Sequence, residues 1–372
     1  MRYVHEFRDP AAAAALTKSI ARRVAQIAKN RPAALPITLM EVCGTHTVAV
    51  FRHGIRQLLP KGVRLLSGPG CPVCVTPNGE IDQAIALAGL PGVILTTFGD
   101  MLRVPGSRSS LQQARAAGAD VRVVYSPLDA VRLAQTTPDR QVVFFAVGFE
   151  TTSPAVAGAL VEAHRLGVPS FSALSAHKVI PPAMKVLLES GETRIDGFIC
   201  PGHVSTIIGA RPYEFIARDH GVPCVVAGFE PLDILQGIDM LVAQVGAAEA
   251  RVEVQYRRTV RWDGNEAAQR YLAEVFEPQD VAWRGLGVIP QSGLKLRSAY
   301  QEFDAARRFP LETPPEREHP GCLCGAVLRG AKEPPDCRLF AKGCTPEHPV
   351  GPCMVSTEGT CAAWYQYSGL AT

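Results

Sequence analysis

The chain has 372 residues, 47% of them hydrophobic and 20% charged, with a formal net charge of +3. That length predicts two or three domains of roughly 100 to 200 residues each. A near-neutral charge with no basic run or aromatic-interleaved patch gives no reason to expect nucleic acid as a partner, and no apolar stretch reaches the roughly 20 residues that a membrane helix needs.

At the N-terminus, MRYVHEFRDPAAAAALTKSI carries Glu6, Arg8 and Asp9 ahead of its alanine run and lacks the long apolar core of a secretory signal. A cytoplasmic protein with reduced thiols is therefore expected. From Pro36 to about Gly246 short β-branched runs alternate with helical patterns: Ile37 to Val42, Val63 to Leu66, Val93 to Thr97, Val121 to Tyr125, Val142 to Val147, Phe171 to Leu174, Gly197 to Cys200 and Cys224 to Ala227. This alternation predicts parallel sheets covered by helices. Val48, Phe51, Ile55, Leu58 and Leu59 recur at helical spacing and predict a helix over 47–59. Two similar units are expected rather than one large sheet, because Gly148-Phe149-Glu150 and Gly228-Phe229-Glu230 repeat at strand ends. Past Gly246 come a polar helical stretch from Asn265 to Phe276, the Gly-rich VAWRGLGVIPQSG, a helix near Ser298 to Arg308 and a proline-rich passage from Pro310 to Pro320. The cysteine-rich tail beyond has too little apolar periodicity to fold without a metal.

Function in open α/β sheets gathers where strands end. Cys43 follows the first strand in MEVCGTHT and leads into a helix, whose N-terminus would stabilise a thiolate; the bland reading is a buried cysteine acting as a small hydrophobe. His46, three residues on, is a second ligand, an acid/base or a cap-region side chain. In SGPGCPVCV a rigid turn presents Cys71 and Cys74 at the spacing of a two-electron redox dithiol, with half of a zinc knuckle as the rival. The polar groups of GFETTSP, CPGHVS and AGFEP, including Glu150, His203 and Glu230, each have an ordinary role in caps, turns or surface. Cys200 and Cys224 lie inside apolar strands and read as core.

Six of the eleven cysteines fall in the tail, and Cys337, Cys344, Cys353 and Cys361 follow one another at intervals of seven, nine and eight. Zinc sites usually include a short C-x2-4-C knuckle, which these four lack, so the spacing tips toward a cubane cluster. Cys322 and Cys324 replace a ligand, form a separate redox pair or stand idle, and the sequence leaves all three open.

The motifs MEVCGTHT, SGPGCPVCVTP, GFETT, PGHVSTIIG, AGFEPLDIL, CLCGAVLRG and CRLFAKGCTPEHPVGPCMVSTEGTCAAWYQY, in order from Glu41 to the C-terminus, resemble the HypD family of hydrogenase maturation factors. The resemblance implies two Rossmann-like α/β domains with parallel sheets and a third, mainly helical domain with a [4Fe-4S] cluster. Boundaries are expected at 36–120, 121–246 and 247–372, with the 1–35 segment helical and packed on the third domain. The resemblance also implies a scaffold, rather than a conventional turnover enzyme, on which the Fe(CN)2CO unit of [NiFe]-hydrogenase is built. Its partners would be a HypC-type chaperone, a HypE-type cyanide donor delivering a protein thiocyanate, and further maturation factors. Carried onto this chain, Cys43 is the iron-binding thiolate with His46 beside it, Cys71 and Cys74 the redox dithiol, and Cys337, Cys344, Cys353 and Cys361 the cluster ligands. A zinc-stabilised interaction scaffold and a general thiol-disulfide oxidoreductase are the competing classes.

Overall fold

The computed structural model describes residues 5–369. Eleven strands run β1 Ile37–Glu41, β2 Val63–Ser67, β3 Val93–Thr97, β4 Val121–Val123, β5 Gln141–Gly148, β6 Phe171–His177, β7 Gly197–Pro201, β8 Cys224–Ala227, β9 Val252–Val254, β10 Phe276–Trp283 and β11 Gly287–Leu296. The first nine form two parallel sheets: sheet A in the order β2-β1-β7-β8-β9 and sheet B in the order β4-β3-β5-β6. Strands β1, β3, β7 and β8 are buried along their whole length, as parallel strands covered on both faces must be. The α/β class read from the sequence is the observed one.

The sheets are interleaved in the chain. After β2 the backbone leaves sheet A, builds all of sheet B, and returns for β7, β8 and β9. The expected division at residue 120 therefore does not separate the two sheets, because β3 pairs with both β4 and β5. Partner choice depends on long-range pairing that no local run of residues records. The N-terminal helix, Pro10–Asn30, departs from its expected place too: its buried Ile20, Val24 and Ile27 join Ile37 and Leu39 of β1 and Ile238, Leu241 and Val242 of the Pro231–Ala247 helix. It covers sheet A rather than the C-terminal region.

The helix expected over 47–59 is broken. A helix spans Gly44–Arg52, Gly54 turns left-handed at φ +61°, and a short helix resumes over Ile55–Leu58. The antiparallel β10–β11 hairpin was not foreseen; Pro278 and a bulge between Gln279 and Val281 disrupt the alternation that would have marked it. Near 298–308 the expected helix is a 3-10 turn, Ser298–Phe303, followed by a short helix, Ala305–Arg308. Among the described residues, no helix is long and apolar enough to cross a membrane.

Candidate functional site

In sheet A the strand order reverses direction between β1 and β7, and open parallel sheets bind ligands in the crevice beyond such a reversal. Cys43 lies just past β1 and His203 just past β7. Across that crevice the Cys43 Sγ stands 3.7 Å from His203 Nε2 and 3.9 Å from its Nδ1. From its motif alone His203 reads as a turn or cap residue; its pairing with Cys43 arises from the return of the chain to sheet A. A PGH tripeptide ending a buried strand was the available signal, and it needed the strand order to be read.

Cys43 is the N-cap residue of the Gly44–Arg52 helix and is almost completely buried. Burial pushes its thiol well above the usual cysteine range, and the backbone N–H groups of His46 and Thr45 at the helix start only partly pull it back. The stabilised thiolate expected at this helix N-terminus is thus outweighed by desolvation. His203 is held neutral by burial, which lowers it to about 4. His46 is likewise lowered to about 4, chiefly by burial. Its Nε2–H donates to the Gly228 carbonyl at 2.9 Å, which leaves Nδ1 as an acceptor with no partner among the described residues. Phe229 supports both imidazoles, with ring centroids 4.8 Å from His46 and 5.1 Å from His203.

A buried carboxyl braces the loop. Glu41, the last residue of β1, accepts from the Cys43 N–H at 3.1 Å and from the Thr47 hydroxyl at 2.5 Å. Burial raises it to about 8 in spite of these bonds, so it is largely protonated at neutral pH. Gly70 lies against the same loop: its carbonyl accepts from Gly44 N–H at 2.9 Å, and a Cβ added there would sit 2.0 Å from Cys43 N. Only glycine allows the two backbones so close.

Cys71 and Cys74 follow directly, at the start and within the short helix Pro72–Val75, with their sulfurs joined as a disulfide. They are 4% and 0% exposed, and the Cys74 sulfur lies 4.0 Å from the Pro352 carbonyl. Val42 beside Cys43 shares one continuous buried cluster with Cys71, Cys74, Cys324 and Cys353. The Cys71/Cys74 pair and two of the tail thiols, Cys324 and Cys353, therefore stand in a single core, with Cys43 next to it in the chain through Val42. Cys200 and Cys224 are fully buried in that core, as read from the sequence.

The tail cysteines surround a separate small cavity. Cys322, Cys324, Cys337, Cys344, Cys353 and Cys361 line it together with Leu323, Val327, Leu339, Phe340, Gly351 and Met354. All four sequence-assigned tail residues meet there, and so do the two left open. Cys324 Sγ and Cys353 Sγ are 2.7 Å apart. Cys353 is pushed up by its contacts with Cys324 and Cys361 and by burial; burial raises Cys322 to about 12 and also raises Cys344. Cys324 is pulled the other way, below the usual cysteine range, by its contact with Cys353. Among the described residues, no group of three or more His, Cys, Asp or Glu is arranged to hold a single metal ion as the side chains stand.

The tail is fastened to the Cys43 loop. Thr45 donates to Glu358 at 2.6 Å, and a Cβ on Gly44 would meet the Glu358 backbone and Cβ at 2.6 Å. Trp364 of the Thr360–Tyr367 helix and Phe51 sit 5.1 Å apart, with the Arg56 guanidinium over both rings.

A family model named HypD, described as the hydrogenase formation hypA family, matches residues 15–368. The chain is 52% identical to the hydrogenase maturation factor HypD of Azotobacter vinelandii, covering 99% of this chain and 97% of that one. It is 49% identical to HypD of Rhodobacter capsulatus, over 99% of each chain. The match to HypD of Escherichia coli K12 is also 49%, over 99% of this chain and 98% of the relative.

Proposed function

Since this chain belongs to the HypD family of hydrogenase maturation factors, we propose that it is the cytoplasmic scaffold on which the Fe(CN)2CO unit of [NiFe]-hydrogenase is assembled. In this reading Cys43 binds the iron together with a HypC-type chaperone, and the Cys71/Cys74 dithiol reduces a thiocyanate brought by a HypE-type donor. The observation that carries it is the meeting of Cys43 and His203 at the strand-order reversal of sheet A, with the dithiol turn pressed against the same loop.

The chemistry follows from these residues. Burial keeps Cys43 protonated, so the positive charge of the arriving iron must drive the thiol to ionise. The proton passes to solvent as the metal takes its place, and neutral His203, 3.7 Å away, sets a ring nitrogen against the sulfur. His46 keeps an unprotonated Nδ1 at the same edge, oriented by its bond to Gly228. A thiocyanate and two thiols give a thiol, hydrogen cyanide and a disulfide, so one closure of Cys71 and Cys74 balances one cyanide released.

The tail cavity fits a thiolate-held cluster in the chemistry of its donors: six cysteines and otherwise apolar walls. Cys337, Cys344, Cys353 and Cys361 would hold a [4Fe-4S] cluster, which supplies electrons singly when bound. Cys324, at 2.7 Å from Cys353, is a second claimant for that ligand position. Parallel Cys324→Ser and Cys353→Ser variants, compared by iron and acid-labile sulfide content, identify the one that ligates.

The dithiol role is tested by alkylating the protein before and after anaerobic exposure to a thiocyanate-bearing donor. With the pair first reduced and the reductant removed, the expected mass spectrum shows Cys71 and Cys74 free beforehand and joined afterwards, with one cyanide released per pair. Cyanide release that persists undiminished in a Cys71→Ser/Cys74→Ser double variant contradicts the proposal.

A further inference from the structure

A cleft of about 820 Å³ lies outside the Cys43 edge and takes no part in the chemistry above. Loops around Arg103, Arg108, Arg317 and Glu347 wall it, and its floor is formed by Cys322, Cys324, Gly351 and Pro352. Cys322, Cys324 and Gly351 line the thiol cavity as well. The two spaces are thus separated by the thickness of single residues. Gly351 keeps that partition thin, since a Cβ there would meet the Cys322 sulfur at 2.6 Å.

The charge of the cleft has one dominant sign. Four arginines line it, Arg103, Arg108, Arg284 and Arg317, against Glu318 and Glu347. Arg284 is buried and spent internally, on the Thr76 carbonyl, on Asn78 and on Glu318 at 3.2 Å. Arg103 donates to the Pro346 and Val355 carbonyls, which leave its charge uncompensated apart from nearby Glu347. Arg108 and Arg317 are exposed, and neither guanidinium has a hydrogen bond or ion pair among the described residues. Nothing within the described fold uses their charge.

We propose that this cleft is the docking site of an acidic one-electron carrier protein that supplies the thiol-held centre. The inference rests on the cluster reading given under Proposed function. Electron transfer needs close approach, and the cleft floor brings a docked surface to within one residue of the thiol cavity. Redox encounters use small interfaces steered by complementary charge, for which unpaired arginines on an open rim are suited. Each encounter oxidises the carrier by one electron and reduces the thiol-held centre by one; two encounters supply the pair that reopens one Cys71–Cys74 disulfide, with two protons taken up.

The test uses full-length protein prepared anaerobically, an acidic [2Fe-2S] ferredoxin as the probe, and an Arg108→Glu/Arg317→Glu variant whose changes are confined to exposed side chains. Calorimetry is expected to show binding that weakens between about 50 and about 300 mM salt, with roughly tenfold lower affinity in the variant at the lower salt. Stopped-flow bleaching by the reduced ferredoxin should slow in parallel, while reduction by dithionite stays unchanged. No binding, equal affinity in the two proteins, or binding without electron transfer each overturns the proposal. Iron and sulfide analysis of the same samples separates the two readings: protein with its cluster but no charge-dependent docking defeats the docking site alone, whereas protein without a cluster defeats the parent reading as well.

Discussion

The two thiol centres of this protein are built in opposite ways. Cys43, Cys71 and Cys74 sit at the ends of β1 and β2, where sheet register, the Glu41 carboxyl and the Gly44–Gly70 backbone bond fix the loops. Of the tail cysteines, Cys324, Cys353 and Cys361 sit on short helices, Cys324–Leu328, Pro352–Val355 and Thr360–Tyr367, while Cys322, Cys337 and Cys344 lie in irregular chain. One centre is held by the register of a parallel sheet; the other is held by short turns, the Thr45–Glu358 bond and a small apolar cluster of Phe340, Cys344 and Met354. The difference suits the proposed reading, in which ligand-exchanging chemistry takes place at the first and a cofactor is held at the second.

The largest expected effect breaks the tail. Cys344→Ser should lose the cluster and open residues 337–361 to protease, while the far-UV signature of the two sheets survives. Limited proteolysis with mass spectrometry checks this, and loss of both sheets together with the tail would erase the contrast between the centres.

The strand-end centre is probed through Glu41. Its pKa is raised from 4.5 to about 8 in the folded state, so between those values the native protein binds more protons than the unfolded chain. The stability it permits is therefore complete below about pH 4.5 and falls as pH rises to about 8. Glu41→Gln removes that slope, and the variant should gain on the wild type by a few kcal/mol at most between pH 5 and pH 9. Urea titrations across this range read the effect directly.

Gly70→Ala should cost about 1–3 kcal/mol, because its methyl group meets the Cys43 backbone rather than a side chain that can turn away. Denaturant melts give the cost, and the same variant should lose bound iron. The smallest effect lies in the fastening between the centres. Arg56→Ala removes the cation over Phe51 and Trp364 and an ion pair with Glu333 at 2.7 Å, and should cost about 1 kcal/mol.

Most of the α/β part was legible in the sequence. All eight strands read from β-branched runs are present, since each run is bounded by turn residues and long enough to be buried. Their grouping was not legible, because β2 and all of sheet B lie between β1 and β7 in the chain, and a local pattern carries no partner. The same gap hid His203 beside Cys43. The repeated Gly-Phe-Glu tripeptides were legible as strand ends but not as roles: Glu150 is buried, accepts from Ile180 N–H and is raised by burial to about 7, whereas Glu230 pairs with Arg8 at the surface. In the tail, spacing marked four cysteines, while Cys322 and Cys324 joined the cavity through a fold that spacing does not encode.

The central claim is that ligand-building occurs at Cys43 while the tail holds its cofactor independently. Infrared and visible spectra of one sample, Cys43→Ala purified anaerobically with the proposed HypC-type partner, test it most directly. The account predicts that the cyanide and carbonyl stretches of the wild-type complex vanish while the iron-sulfur absorption remains at full strength. Stretches that persist, or an iron-sulfur absorption lost along with them, would contradict it.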